Sequence, residues 1–263
     1  MSTSLQDDPT HTLSRDEFIR YSRQLMLDGI GEHGQIALKN ATVAIIGLGG
    51  LGSPTSMYLA AAGVGHLLIC DDDAVDKSNL HRQLLYREKD IALNKVDAAK
   101  QTLTSLNPNI VVETVNQKIL SDGIPEKLGC SDLVIECSDN SDCRLTLNSF
   151  CVRHQIPLIS ASAVGWEGQI SQFQFNRSTS PCLACMLSSD DEDPIENCAS
   201  VGVIGPLLGT LGSLQALQAI QLLVSPALDY HGKLWRFDAR KMRWLDLAIS
   251  KSNQCPVCNE GSR

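Results

Sequence analysis

Short apolar runs alternate along this chain with longer segments of helical periodicity. Five apolar runs predict buried strands: residues 43–46, 66–70, 110–115, 133–136 and 157–163. Helices are predicted between them, starting near Pro54 and covering residues 96–106 and 141–154. Because strands and helices alternate, we expect an α/β fold with a Rossmann-like, mostly parallel sheet.

The pattern changes toward the C-terminus. Residues 169–175 alternate between polar and apolar positions, and residues 234–238 and 243–249 predict two last strands, so we expect C-terminal antiparallel strands. Residues 202–224 form a long apolar segment with few charges, which predicts a helix buried in the core or in a subunit interface.

The N-terminal residues 1–12 are polar, and we expect them to be disordered. Ser14 then predicts a helix cap, with Glu17 three residues later completing a capping box. We expect a single domain over residues 13–263, divided into a nucleotide-binding core (13–165) and a C-terminal part (166–263).

The first strand leads into a glycine-rich turn that contains Gly47, Gly49, Gly50 and Gly52. Glycines let the main chain approach an anion, and the free amides at the following helix start donate to it. Asp71 ends the second strand about 20 residues later, where a ribose-binding acid is expected. A plain tight turn is the alternative, but the strand, helix and acid together favour a nucleotide site.

Charged side chains follow the second strand at positions that a dinucleotide site does not require. Asp73 adds a second acid, and Asn79 and Arg82 supply an amide and a guanidinium. Arginine suits bidentate contact with phosphate oxygens, and Lys95 brings an ammonium at the start of the next helix. Taken singly these are ordinary surface charges, but after a glycine loop they indicate binding of a triphosphate.

Asp139 follows the fourth strand, at the sheet edge where open α/β folds place their chemistry. We expect it to hold Mg²⁺, which binds through one or two carboxylates together with substrate phosphates. A helix cap is the alternative for this acidic turn. Asn140 or Ser141 can fill that role while Asp139 faces the cleft.

Four of the ten cysteines form two Cys-x-x-Cys pairs: Cys182, Cys185, Cys255 and Cys258. Four thiolates make a closed tetrahedral Zn²⁺ site without an open position, hence a structural one. Such a metal would tie the C-terminal tail to the middle of the chain. A redox Cys-x-x-Cys motif is the alternative.

Composition narrows the class of protein. The net charge of −8 and the lack of a basic stripe argue against binding of nucleic acid. No apolar run reaches the length of a membrane helix, and residues 1–12 lack the apolar core of a signal peptide. We therefore expect no membrane contact and a cytoplasmic location.

Taken together, these motifs resemble the ThiF/MoeB/HesA family of ubiquitin-activating-type adenylyltransferases over almost the whole chain. The matching stretches are RYSRQ (20–24), GLGGLGS (47–53), DDDAVDKSNLHRQ (71–83), CSDN (137–140), the paired cysteines and GVIGPLLGTLGSLQALQAIQLL (202–223). Within the family the chain is most similar to the ThiF members, through RYSRQLMLD, ISASAVGWEGQ and the sequence ENC that ends at Cys198.

The resemblance implies ATP-dependent adenylation of a carboxylate, with release of pyrophosphate. The substrate would be a ubiquitin-like sulfur-carrier protein ending in Gly-Gly, of the ThiS type used in thiamine thiazole synthesis. The alternative is a MoaD-type carrier of molybdopterin synthesis. Asp73 and Asp139 would lie near the reacting phosphates and metal, Asp71 on the ribose, and three groups on phosphate oxygens: Asn79, Arg82 and Lys95.

The resemblance also implies partners. Arg23, otherwise a solvated helical residue, would reach into the neighbouring subunit's site of a homodimer. Cys198 would join covalently to the carrier during sulfur transfer, with a desulfurase-type donor, although a plain structural cysteine is the alternative. The C-terminal part would bind carrier and zinc and form dimer contacts.

Two residues depart from the family pattern. His81 replaces a frequent glutamine, and Ala92 replaces a usual glycine. If that glycine serves a positive φ angle, Ala92 costs about 1 kcal/mol.

Two rival functions are an NAD-dependent oxidoreductase, which explains only the stretch from Gly47 to Asp71, and a non-catalytic scaffold, against which the intact phosphate-site residues argue.

Overall fold

A computed structural model describes residues 12–120, 123–177, 179–186, 202–225 and 232–259. The helices are α1 (Arg15–Arg20), α2 (Ser22–Leu25), α3 (Gly31–Asn40), α4 (Gly52–Ala62), α5 (Lys95–Leu106), α6 (Ser141–His154) and α7 (Gly205–Val224). The strands are β1 (Thr42–Ile46), β2 (His66–Cys70), β3 (Val111–Val115), β4 (Leu133–Glu136), β5 (Leu158–Val164), β6 (Glu167–Phe173), β7 (Lys233–Asp238) and β8 (Arg243–Ala248).

All eight strands form one sheet in the order β3-β2-β1-β4-β5-β6-β7-β8. Strands β1 to β5 pair in parallel, and β6, β7 and β8 extend the sheet as antiparallel neighbours. The strand order reverses direction between β1 and β4, which opens a crevice at their carboxyl ends, where such folds bind ligands. The predicted fold class is confirmed.

Helices cover both faces of the sheet, because alternate residues of each strand point to opposite sides. Val43 and Ile45 of β1 belong to one buried cluster, which includes Leu59 of α4 and Leu211 of α7. Ala44 and Ile46 belong to a second cluster, on the side of α6. Strands that are buried on both faces have unbroken apolar sequences, which is why the sequence predicted the positions of these strands closely.

Several element boundaries differ from the sequence prediction by one or two residues. Strand β6 begins at Glu167, two residues before the predicted start, because the tight turn through Gly165 pairs Val164 directly with Glu167. Helix α7 begins at Gly205, inside the Gly-Val-Ile-Gly-Pro stretch that opens the predicted segment 202–224. Gly202 has φ +79°, outside the right-handed helical region, and Pro206 favours the first helical turn because it lacks an N–H.

Helix α7 is, within the described part of the chain, the one helix long and apolar enough to cross a membrane by length and composition. The expectation that no such segment exists was therefore wrong. The helix packs against α3, α4, β5 and β6, and Leu207, Leu211 and Ala219 are buried. Because the helix contacts its neighbours on several sides, its apolar composition is that of a core helix.

The N-terminal helices lie beside the nucleotide-binding part of the sheet. The predicted capping box is present: Glu17 N donates to Ser14 Oγ, and Ser14 N donates to a Glu17 carboxylate oxygen. The disorder expected for residues 1–12 falls mostly outside the described residues. Helix α3, which the pattern analysis did not predict, leads from these helices into β1.

Candidate nucleotide site

A cleft of 680 Å³ opens at the carboxyl ends of the parallel strands. Nine of the predicted nucleotide-binding residues line it: Gly47, Gly49, Gly50, Asp71, Asp73, Asn79, Arg82, Lys95 and Asp139. These residues come from the ends of β1, β2 and β4, from the segment that follows β2 and from the start of α5. The sequence grouped these residues by strand ends, and the fold brings them into one cavity.

The glycine turn fits tightly against its surroundings. Gly47 has φ +90°, and a side chain there would meet the Cys137 main chain at 2.9 Å. A Cβ on Gly52 would lie 1.9 Å from the Gly47 carbonyl oxygen. Gly52 begins α4 and lies behind the turn, so its part in the site is to permit the bend that presents Gly49 and Gly50 to the cleft.

Asp71 fastens the glycine turn to the end of β2. One carboxylate oxygen accepts from Leu48 N at 2.7 Å, and the other accepts from Asp73 N at 2.9 Å. Burial raises the pKa of Asp71, and the nearby Lys95 ammonium opposes that rise. This acid therefore holds the turn as well as lining the nucleotide cleft.

Lys95 is almost fully buried, yet it lines the cleft. Its ammonium lies 2.7 Å from an Asp73 carboxylate oxygen, and its main-chain N donates to the Asp73 carbonyl at 2.9 Å. The preceding turn contains Ala92 at φ +70°, the left-handed region that favours glycine. The expected strain at Ala92 is thus present, while the neighbouring lysine still reaches the cleft.

Arg82 is held by its own turn in this structure. Its guanidinium donates to the Ser78 carbonyl at 2.9 Å and to Asn79 Oδ1 at 3.3 Å. His81 Nε2 lies 3.0 Å from Arg82 Nη1. Gln83, which the sequence analysis missed, is buried, lines the cleft and donates to Asn79 Oδ1 at 2.7 Å.

Asp139 lies between β4 and α6. Asn140 caps α6, because its Oδ1 accepts from Cys143 N at 3.0 Å. The cap predicted as the alternative is therefore formed by Asn140, and Asp139 lines the cleft as expected. The helix cap and the position of Asp139 at the cleft are thus both present, while binding of Mg²⁺ by Asp139 stays a prediction.

A buried ion pair supports the turn that contains Asp139. Glu136 is fully buried, and its carboxylate accepts from Arg144 Nε at 2.9 Å and from Ser160 Oγ at 2.6 Å. It also accepts from Ser138 N and Oγ, while Arg144 Nη2 donates to the Ser138 carbonyl at 3.0 Å. The sequence analysis missed this pair, although an acid that ends an apolar strand is a usable signal.

The two Cys-x-x-Cys pairs come together beside the middle of α6. The four sulfur atoms of Cys182, Cys185, Cys255 and Cys258 all lie within 4.8 Å of one another. Three of the separations are 3.3, 3.6 and 4.0 Å. A tetrahedral Zn²⁺ site with metal–sulfur distances of about 2.3 Å has sulfur atoms about 3.8 Å apart, so this donor set fits zinc.

Arg23 is exposed on α2 and does not line the cleft. Cys198 lies outside the described residues.

The sequence of this chain is similar to proteins of known activity over nearly its whole length. A model described as the ThiF family matches residues 21–257. The chain belongs to the ThiF family. It is 43% identical over 249 residues to the sulfur carrier protein ThiS adenylyltransferase of Escherichia coli, covering 92% of this chain and 95% of that protein. It is 38% identical over 248 residues to the molybdopterin-synthase adenylyltransferase of Salmonella typhimurium, covering 94% and 99%.

A solved structure outside these relatives shares the fold. Escherichia coli MccB superposes with a TM-score of 0.80 at 23% identity, covering 93% of this chain and 73% of that one. At this identity the similarity concerns the fold alone. Membership of the ThiF family, and with it the resemblance seen in the sequence motifs, is confirmed by the match over residues 21–257.

Proposed function

We propose that this ThiF-family chain is a nucleotidyltransferase that adenylates the C-terminal glycine of a ubiquitin-like sulfur-carrier protein ending in Gly-Gly. The observation that carries the proposal is the single cleft that joins the glycine turn to Arg82, Lys95 and Asp139. The relatives named as adenylyltransferases, matched over nearly their whole length, support the same reaction.

The reaction needs positioning more than acid–base chemistry. A carrier carboxylate oxygen attacks the α-phosphorus of ATP and forms a new oxygen–phosphorus bond. The bond from the α-phosphorus to the oxygen that bridges the α and β phosphates breaks, and pyrophosphate leaves with that oxygen. The carboxylate is already ionised at neutral pH, so no general base is required. The protein lowers the barrier by in-line alignment and by neutralising charge on the phosphates.

Each group in the cleft has a part in that alignment. The glycine turn approaches the phosphates, Asp71 binds the ribose, and cationic or amide groups bind phosphate oxygens: Asn79, Arg82 and Lys95. Hydrogen bonds to Ser78 and Asn79 satisfy the Arg82 guanidinium before ATP binds. Arg82 must exchange these hydrogen bonds for contacts with phosphate oxygens when ATP enters the cleft.

Carboxylate oxygens in the cleft fit Mg²⁺. Asp139 and Asp73 both line it, and the carboxylates of residues 71–73 lie within 4.8 Å of one another. Mg²⁺ takes oxygen ligands, one or two from carboxylates and others from phosphates. We assign Asp139, with Asp73, as the residues that would hold the metal, which supplies charge neutralisation on ATP.

The carrier is proposed to be of the ThiS type, which places the reaction in thiamine thiazole synthesis. Identity to the ThiS adenylyltransferase, 43%, exceeds the 38% found for the molybdopterin-synthase adenylyltransferase. A MoaD-type carrier is the alternative because both relatives are matched over more than nine-tenths of the chain. The cytoplasmic location stays a prediction.

Pyrophosphate–ATP exchange, with ThiS-type and MoaD-type carriers offered separately, tests both levels of the proposal. Exchange with only the ThiS-type carrier is expected. Exchange with only the MoaD-type carrier would keep the chemistry and overturn the choice of pathway. ATP binding without exchange for either carrier would contradict the adenylyltransferase and favour a scaffold.

The homodimer is supported by exposed apolar side chains around Arg23. Four side chains are each more than half exposed on α1 and in the turn after α2: Phe18, Ile19, Met26 and Leu27. Such a patch favours an interface, and we propose a second copy of the chain as its occupant. Arg23 would then reach the partner's cleft rather than its own.

Mixing two inactive variants tests this arrangement. Arg23→Ala and Lys95→Ala protomers, combined after subunit exchange, should regain exchange activity, because half of the mixed dimers' sites contain both residues. Activity that stays absent while mixed dimers are demonstrated would contradict a shared site.

The four-cysteine cluster is proposed to bind structural Zn²⁺. It would join the turn at Leu183–Met186, which lies against α6, to the C-terminal segment that contains Cys255 and Cys258. Removal of zinc should lower the melting temperature. An unchanged melting temperature, with loss of zinc confirmed by elemental analysis, would count against this structural role.

The C-terminal part, residues 166–263, is proposed to bind the carrier. Strand β8 ends the sheet within the described residues, and it exposes Trp244, Leu245 and Leu247. A Leu245→Glu variant should raise the carrier concentration needed for half-maximal exchange without changing ATP binding. An unchanged requirement for carrier would remove β8 from the docking surface.

Cys198 is proposed to form a covalent link with the activated carrier, which then receives sulfur from a desulfurase-type donor. Attack of the Cys198 thiolate on the carbonyl carbon of the acyl-adenylate would form a thioester and release AMP. If the donor has first transferred a sulfur atom to Cys198, the resulting persulfide would attack the same carbon, form an acyl disulfide and likewise release AMP. Mass spectrometry of trapped complexes tests the link, and a complex that persists with Cys198→Ala would exclude it.

A further inference from the structure

We propose that Asn148 is part of the metal centre: its side-chain amide stabilises the Cys182 thiolate by an N–H···S hydrogen bond. The inference rests on the zinc site proposed above. It concerns a residue of α6 that is separate in sequence from both cysteine pairs.

Asn148 is fully buried, and both ends of its carboxamide point to the first cysteine pair. Nδ2 donates to Cys182 Sγ at 3.5 Å, and Oδ1 accepts from Leu183 N at 2.9 Å. Because Leu183 N is a donor, the amide orientation is fixed with oxygen toward the main chain and nitrogen toward sulfur. The contact is therefore made by a donor directed at a metal-binding atom.

Two of the other thiolates, those of Cys185 and Cys255, obtain donors from the main chain. Ser252 N and Cys182 N each donate to Cys185 Sγ at 3.5 Å. Cys255 accepts from the amides of Val257 and Cys258. Among the described contacts to Cys182, the side chain of Asn148 supplies this donor, so a substitution can remove it without moving the main chain.

Four thiolates around a divalent zinc leave a net charge of −2 in a site where Cys182 is completely buried. N–H donors spread that charge and orient the ligands, and loss of such contacts typically lowers metal affinity by 10- to 100-fold. Asn148 would thus retain zinc, in addition to fastening the turn at Leu183 to α6.

Asn148→Asp separates these two roles, because aspartate keeps the shape and an acceptor for Leu183 N but places an oxygen beside the thiolate. Zinc-loaded full-length protein is mixed with a chelating dye, 4-(2-pyridylazo)resorcinol, and the rate of zinc release is recorded. The control is Ser149→Ala, the next residue, whose hydroxyl bonds only within α6, to the Leu145 carbonyl, among the described contacts. If Asn148→Asp does not fold, Asn148→Ala is measured instead.

We expect release at least about tenfold faster from the Asn148 variant than from the wild type and from Ser149→Ala. We also expect the melting temperature to fall more in the zinc-loaded than in the zinc-free form. Equal release rates, with zinc present in the wild type, would overturn the role of Asn148. Absence of zinc from the purified wild type would instead overturn the metal site itself.

Discussion

The Lys95 ammonium forms an ion pair with Asp73, with its nitrogen 2.7 Å from a carboxylate oxygen, inside the nucleotide cleft. The lysine side chain is 6% exposed and the aspartate 66%. Asp71 adds a carboxylate oxygen 3.8 Å from the same nitrogen. A buried cation is thus balanced by acids until a phosphate enters, and the exposed Asp73 is then able to turn toward solvent or metal.

Lys95→Met should lower pyrophosphate–ATP exchange by at least about 100-fold, because the cleft loses a positive charge directed at the phosphates. Lys100→Met, on the exposed side of the same helix, is the control and should leave exchange unchanged. Circular dichroism confirms the fold of both variants. Full exchange activity in Lys95→Met would show that Lys95 does not contribute to the phosphate site.

Ala92→Gly should stabilise the protein, because Ala92 is exposed and has φ +70°. Relief of left-handed strain, about 1 kcal/mol, exceeds the added entropy of the unfolded chain by a few tenths of a kcal/mol. Ala37→Gly, in the interior of α3, should instead lower the free energy of unfolding by about 1 kcal/mol. Urea unfolding compares the two, and a loss of stability in both would disprove strain at Ala92.

Arg144→Met should destabilise the fold by about 3–5 kcal/mol, because it leaves the fully buried Glu136 carboxylate without its cation. Arg153→Met, at the exposed end of the same helix, should change the free energy of unfolding by less than about 0.5 kcal/mol.

Combining Arg144→Met with Glu136→Gln should recover part of the lost stability, because the unpaired charge disappears. Denaturant unfolding measures all three proteins. If the loss in free energy of unfolding in the double variant equals the sum of the losses in the two single variants, the two residues do not act as a pair.

Glu17 gives the N-terminal helices a pH dependence. Burial tends to raise its pKa, but hydrogen bonds from Lys39 and Ser14 outweigh that effect and hold the pKa below its ordinary value. A depressed carboxyl pKa contributes stability above the unfolded-state value of about 4.3, and that stability is lost as the pH falls through the folded-state pKa.

Glu17→Gln should therefore lower the free energy of unfolding by about 1–2 kcal/mol at neutral pH. The difference from the wild type should close as the pH falls below about 4. Urea unfolding at several pH values measures it, with the exposed Glu32→Gln as the control. A difference that does not change with pH would show that the charge of Glu17 is unimportant.

The sequence predicted most of the cleft because strand ends converge by topology alone. Asp71, Asp139 and the glycine turn each follow a strand, so a parallel sheet had to bring them together. The contacts of Glu136 with Arg144, and of Asn148 with Cys182, depend on side-chain directions across separate elements. No spacing along the chain encodes them. Arg23 would act in a second subunit, which a single chain does not show.

The central claim is transfer of an adenylyl group to the carrier's terminal carboxylate. Its most direct test is the intact mass of a ThiS-type carrier after incubation with the protein, ATP, Mg²⁺ and pyrophosphatase. We predict a carrier heavier by one adenylyl group, no change in a carrier lacking its last glycine, and no change when the enzyme carries Asp139→Ala. An unmodified carrier, with ATP bound and the protein folded, would contradict the account.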